Sequence, residues 1–180
     1  MPKSLEIPVG MLLDQLDDLT ARIDNFERQL EAISRAKYKS QTELVRQVNG
    51  VGLLSGLTFV LTIGDPSRFK KSRDVGSYLG LRPKRHESGD KEPDLRTTRT
   101  GDRFLRTYLV QSAHYILGPF GQDCTLRRWG LEKAAGGKSN RKRAIIAVAR
   151  KLSVLLHRLM VTGEIYDPMR NSGQELPAVA

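Results

Sequence analysis

A serine set among cations is the feature of this sequence with the clearest chemical potential. Between Leu81 and Thr100 the chain gathers Arg82, Lys84, Arg85, His86, Glu87, Ser88, Gly89, Lys91, Arg96 and Arg99, and Pro83, Gly89 and Pro93 interrupt any regular helix. Guanidinium groups can orient phosphoryl oxygens bidentately and stabilise the charge that grows in a transition state, while a hydroxyl attacks phosphorus. Composition alone favours a plainer interpretation, with Ser88 as a turn serine and the basic residues as a solvated phosphate-binding surface. Glu87, Asp90, Glu92 and Asp94 are interspersed with those cations, which favours a solvated loop over a metal site. His86 is a candidate proton shuttle, whereas His114 and His157 show no ligand spacing and fit helix-surface or buried polar positions.

A second basic group comprises Arg127-Arg128-Trp129, Lys138 and Arg141-Lys142-Arg143. Positive charge near a helix N-terminus opposes the helix dipole unless an anion attends it, so phosphate contact is favoured over mere solubility. The 180 residues carry 30 Lys plus Arg against 20 Asp plus Glu. Residues 1–48 hold seven basic and eight acidic side chains, and residues 49–180 hold twenty-three and twelve. The second part therefore carries the positive field, which points to polyanionic partners. A lone cysteine, Cys124, excludes an internal disulfide and a cysteine-rich zinc site and suits a reducing cytosol. Met1 to Gly10 lacks the pattern of a signal peptide, and the most apolar stretch, Leu53 to Gly64, falls well short of the roughly 20 residues of a spanning helix. A cytoplasmic protein without membrane contact is expected.

Helical elements must position these groups. Val9, Leu12, Leu16, Leu19, Ile23, Phe26, Leu30 and Ile33 recur at alternating spacings of three and four, a heptad seam that ends where Lys37 and Ser40 fall on it. One helix from about Met11 to Gln47, roughly 55 Å long at 1.5 Å per residue, is predicted to form a coiled coil or helical hairpin, with a helix lying against its own domain as the alternative. Gln47-Val48-Asn49-Gly50-Val51-Gly52 then precedes a second apolar helix over Leu53 to Ile63. Gly50 and Gly52 suit a tight turn like that of a helix-hairpin-helix, whose second helix N-terminus binds a DNA phosphate; an ordinary turn between helices fits equally well. Ser72 is expected to cap a short helix ended by Gly80, and Asn140 to cap a last long helix closed by Gly163. Another helix runs from Asp102 to Ile116, and a short one spans about Gln122 to Ala134. The fold expected is all-α, with a coiled-coil oligomerisation helix over 1–47, a compact helical domain with an irregular polar loop over 48–168, and a frayed tail over 169–180.

The order of motifs carries a resemblance. Val48-Asn49-Gly50-Val51-Gly52, Ile63-Gly64-Asp65-Pro66-Ser67-Arg68-Phe69, Tyr78-Leu79-Gly80-Leu81-Arg82-Pro83, Glu87-Ser88-Gly89, Gly101-Asp102-Arg103-Phe104-Leu105-Arg106 and Ala149-Arg150-Lys151-Leu152 follow one another along the chain. Together they resemble the C-terminal half of bacterial insertion-sequence transposases that act as bridge-RNA-guided recombinases. In that family a resolvase-like DEDD domain precedes a coiled coil and a helical serine domain.

The resemblance spans about residues 10–168. It implies that Ser88, the serine before glycine in the polar loop, is the nucleophile of DNA cleavage and rejoining through a phosphoserine link. Lys91, Arg96 and Arg99 would hold the scissile phosphate, joined by Arg82, Lys84 and Arg85, with Arg103 and Arg106 extending that face onto a helix. Gly101 matches a family glycine. Asp102 stands where asparagine is usual and would repel phosphate unless paired with Arg99 or Arg103; Leu95 stands where a glycine precedes the arginine.

No counterpart of the family's acidic, metal-binding half precedes the heptads. The resemblance therefore implies no cofactor in this chain, divalent metal only in the N-terminal domain, and little recombination by an isolated fragment or truncated remnant. DNA, a structured guide RNA and further copies of the chain through residues 9–33 are the expected partners. A noncatalytic helix-hairpin-helix DNA-binding and oligomerisation module is the alternative, as is a coiled-coil fragment kept soluble by its basic surface.

Overall fold

The computed structural model describes residues 3–83, 97–98 and 100–170. They are all-α, as expected: α1 (Lys3–Lys37), α2 (Lys39–Arg46), α3 (Leu53–Ile63), a 3₁₀ turn (Pro66–Arg68), α4 (Arg73–Tyr78), α5 (Arg103–Leu117), α6 (Thr125–Ala134) and α7 (Lys138–Thr162). The chain divides into two compact units, Met1–Lys39 and Ser40–Ala180.

In the first unit, α1 is 35 residues long and leaves its seam open to solvent, with Leu12, Leu16, Leu19, Ile23 and Phe26 all exposed. Asp18–Arg22 and Glu31–Arg35 pair along the helix with the acid preceding the base by four residues, each contributing about 0.3–0.5 kcal/mol. The single helix expected from Met11 to Gln47 does not form; α1 starts earlier, stops at Lys37, and α2 is separate. Buried Thr42, Val45 and Val48 lie off the seam's register, so the residues after Lys37 serve a different face.

The second unit is organised around α7, whose Ala144, Val148, Ala149, Leu152, Leu156 and Leu159 are buried. It packs against α6, α5 and α4, while α3 packs on α5. Gly130 permits the close approach of α6, since a Cβ there would meet Val148 Cγ2 at 2.6 Å and Leu117 Cδ2 at 2.7 Å. Gly80 and Gly163 follow their helices with positive φ, as expected. The segment after α7 is held by contacts as far as Arg170, just inside the frayed tail expected over 169–180. Tyr166 N donates to Gln47 Oε1 at 2.7 Å, Thr125 N donates to Pro168 O at 2.9 Å, and Glu164 pairs with Arg158 and Arg170. Its polar composition suggested solvent, but its backbone groups find partners. The rest of the expected tail, residues 171–180, lies outside the described residues.

Two expected caps are replaced by other contacts. Asn140 lies within α7 and donates through Nδ2 to Ala135 O at 2.8 Å, tying the helix back to the end of α6. Ser72 makes no side-chain cap bond for α4; its Oγ lies 3.0 Å from Nδ1 of His157. His157 is 1% exposed, and its Nε2 lies 3.0 Å from Pro66 O. A carbonyl only accepts, so in the neutral ring Nε2 carries the proton and Nδ1 accepts from the Ser72 hydroxyl. Phe69 meets the imidazole edge-on at 5.4 Å, completing a bolt between α7 and the 66–72 segment. His157→Leu orphans both partners and should cost about 1–3 kcal/mol, lowering the thermal midpoint by several degrees. A melting curve superimposable on the parent's would contradict the bolt.

Candidate nucleic-acid interface

The two ends of the cationic loop are fastened together. Thr98 N donates to Arg82 O at 3.0 Å, and Pro83 pairs with Thr97 in an antiparallel bridge. Proline tolerates this edge because it has no amide hydrogen to leave unpaired. Ser88, Lys84, Arg85, Lys91, Arg96 and Arg99 lie outside the described residues, as do His86, Glu87, Asp90, Glu92, Asp94 and Leu95. The stem beneath them is defined, and it leads directly to α5.

Gly101 makes that junction possible. Its φ is +79°, and a Cβ there would lie 2.1 Å from the carbonyl oxygen of Tyr78. Asp102 caps α5, its Oδ1 accepting from Leu105 N at 2.6 Å. Asparagine would offer the same acceptor, so either residue at this position forms the cap. Arg103 is exposed on the first turn of α5. Arg106, one turn on, is half-buried and donates from Nη1 to Leu79 O at 3.1 Å and to Thr100 O at 2.8 Å. It therefore splices the end of α4 to the loop's return, work that its spacing from Arg103 did not reveal. Arg82 is exposed at the stem's other strand.

Gly50 and Gly52 sit elsewhere on α5. Gly50 has φ +91° and packs so closely that a Cβ would come within 3.1 Å of both Ile116 Cγ1 and Tyr115 Cδ1. Gly52 precedes α3 in extended conformation with no side-chain cap, and open space surrounds it. The first-turn amides of α3 thus border an open cleft of about 510 Å³ lined in part by Arg46, Asn49, Ser55, Gln111 and Tyr115. Twelve residues of helix separate Arg103 from Tyr115, roughly 18 Å at 1.5 Å per residue. The glycine turn and the loop stem accordingly lie near opposite ends of α5.

The second basic group divides. Arg127 donates through Nη1 to the carbonyls of Ile116 and Gly118 and so caps the C-terminus of α5. Arg128 grips Asp123 through Nε and Nη2, and that contact holds the Asp123 carboxyl below its usual range. Lys151 and Lys133 cover Trp129 with ammonium groups 3.8 and 5.1 Å from the ring centroid. Burial, followed by the charge of Lys133, pushes the Lys151 amine down. Lys138, Arg141 and Lys142 remain exposed.

The sequence also contained a cation that went unselected. Arg68 is exposed, with its guanidinium carbon 4.7 Å from the ring centroid of Phe69 and 4.8 Å from that of Tyr78. Its adjacency to Phe69 was the available signal. Among the described residues, no group of three or more His, Cys, Asp or Glu side chains could hold a metal ion, and no helix is long and apolar enough to cross a membrane. Gly101→Ala should lose more than about 1 kcal/mol, since a left-handed residue alone costs roughly 1–2 kcal/mol before any clash with Tyr78. Equal thermal midpoints for variant and parent would contradict that close approach.

Comparisons with known proteins agree with this organisation. Residues 42–120 match the sequence model of the transposase family IS116/IS110/IS902. Over 158 residues the chain is 31% identical to the transposase for insertion sequence element IS1111A of Coxiella burnetii, covering 88% of this chain and 43% of that protein. It is 29% identical over 174 residues to a probable family 20 transposase of Pseudomonas aeruginosa, covering 93% of this chain and 50% of the relative. A pilin gene-inverting protein of Moraxella bovis is 26% identical over 130 residues, 71% of this chain and 39% of its own length. The chain spans about half the length of the curated relatives it matches or less. The segment that matches this transposase family holds the glycine turn, the loop stem and the whole of α5.

Proposed function

We propose that this chain is the serine-bearing, DNA-binding part of an insertion-sequence transposase. Ser88 is the nucleophile: its oxygen bonds to phosphorus as a bridging P–O bond of the strand breaks, and the departing hydroxyl takes up a proton. Reversal by a strand hydroxyl restores the serine and rejoins DNA, so the ester itself conserves the energy of the bond. Arg82, Lys84, Arg85, Lys91, Arg96, Arg99 and Arg103 neutralise the phosphates, and Arg106 positions the return strand of the loop. The observation that carries this reading is the closed stem at Arg82–Thr98, which brings the two ends of the cationic loop together.

Recombination requires the resolvase-like half, to which the divalent metal belongs. The exposed seam of α1 supports self-association in a coiled coil, with a guide RNA as a further partner of the assembly. A noncatalytic DNA-binding module is the second reading, favoured by the uncapped α3 N-terminus beside Gly52.

Ser88→Ala distinguishes the two. In an assembly supplied with the full-length relative's N-terminal half, it should abolish covalent protein–DNA adducts while leaving DNA affinity within about twofold; adducts equal to the parent's would remove the nucleophile. The double variant Leu19→Lys/Phe26→Lys should sediment as a monomer, because two buried charges in a seam cost several kcal/mol. An unchanged mass would defeat self-association through α1.

A further inference from the structure

Arg68 occupies an unusually prepared position. The Phe69 and Tyr78 rings meet edge to face at 5.4 Å, and the Arg68 guanidinium lies over both of them. The shelf is itself anchored, since Phe69 leans on buried His157, which bonds Ser72 and Pro66 on either side of it. A long side chain normally loses rotamer freedom when it binds an anion; here much of that ordering is already present.

The guanidinium has no carboxylate in ion-pair contact among the described residues. Asp65, three residues away, is engaged by Ser67, which donates to it through its amide at 2.9 Å and through its hydroxyl at 2.7 Å. Arg68 contributes only a weaker through-space attraction to that carboxylate. In contrast, Arg127, Arg128 and Arg106 are committed to carbonyls or to Asp123.

Tyr78 links this shelf to the loop junction. Its ring holds Arg68, its carbonyl faces Gly101, and the next carbonyl, that of Leu79, receives Arg106. An exposed, pre-ordered guanidinium fork thus lies over Tyr78, the residue whose carbonyl faces Gly101.

We propose that Arg68 is a phosphate-binding residue that grips a DNA backbone phosphodiester beside the Gly101 junction. This rests on the DNA-binding reading above and adds a contact outside the polar loop. The planar fork faces a phosphate bidentately while its back remains stacked on the rings, a geometry that an ammonium does not reproduce.

The test is affinity of the full chain for a short DNA duplex as a function of salt, with melting followed in parallel. The parent should show a steep slope of log affinity against log salt. Arg68→Leu should flatten it by about 0.9, the value for one phosphate contact, and weaken binding about tenfold or more. Arg68→Gln, which keeps a polar end on the shelf, should do the same and carries the test if the leucine variant does not fold. Arg68→Lys should keep the slope but bind several-fold more weakly. Arg128→Leu, the control, should keep the parent's slope. If Arg68→Leu or Arg68→Gln folds and retains the parent's steep slope, Arg68 is a structural clamp and the inference is overturned while DNA binding stands. A flat slope for the parent instead overturns DNA binding itself. A slope change seen with an RNA strand but absent with duplex DNA overturns the assignment to DNA.

Discussion

Arg106 and Gly101 form the joint on which the organisation of the candidate site depends. The end of α4 presents two consecutive carbonyls, those of Tyr78 and Leu79, that α4 itself does not satisfy. Gly101 approaches the first so closely that no side chain fits, and Arg106 donates to the second while also bonding Thr100. A charged donor between two main-chain acceptors is worth more than a neutral one, and here it fixes where the loop's return strand begins. Asp102 then starts α5 immediately, so the direction of the helix and the position of Arg103 follow from the same joint.

The basic residues divide into those that build and those that face solvent. Arg106 and Arg127 satisfy carbonyls at the ends of helices, and Arg128 closes on Asp123. Arg82, Arg103 and Arg68 project from the stem, the start of α5 and the aromatic shelf. A net excess of positive charge therefore overstates the number of cations available to a polyanion. It also explains why the surface can be strongly basic without each cation being a contact: several are held by geometry that DNA would have to break.

Much of this was legible in residue order. Periodicity gave the helices, because an apolar residue every three or four positions has one physical interpretation, and Gly80, Gly101 and Gly163 occupy turns that side chains disfavour. What periodicity could not convey was the identity of hydrogen-bond partners distant in the chain. Ser72 and Asn140 have cap-forming side chains at plausible places, yet His157 and the Ala135 carbonyl offer them better partners. The tail over 169–180 looked solvated because its residues are polar, although Arg170 pairs with Glu164 and its carbonyl accepts from Thr125 Oγ1. Likewise, Arg103 and Arg106 are equivalent by spacing and differ only because two carbonyls wait beside one of them. The polar loop itself was readable as chemistry, and the proposal of Ser88 as nucleophile rests on motif order.

The proposed DNA contact centres on the loop junction at the start of α5. Backbone amide resonances of the isotopically labelled chain, followed while a short duplex is added, test it most directly. With DNA at the junction, shifts should concentrate at Arg68, Arg82, Thr98 and residues 101–104, with a second set at 52–55 where α3 begins. Shifts confined to the basic start of α7, residues 138–143, with the junction unperturbed, would contradict it.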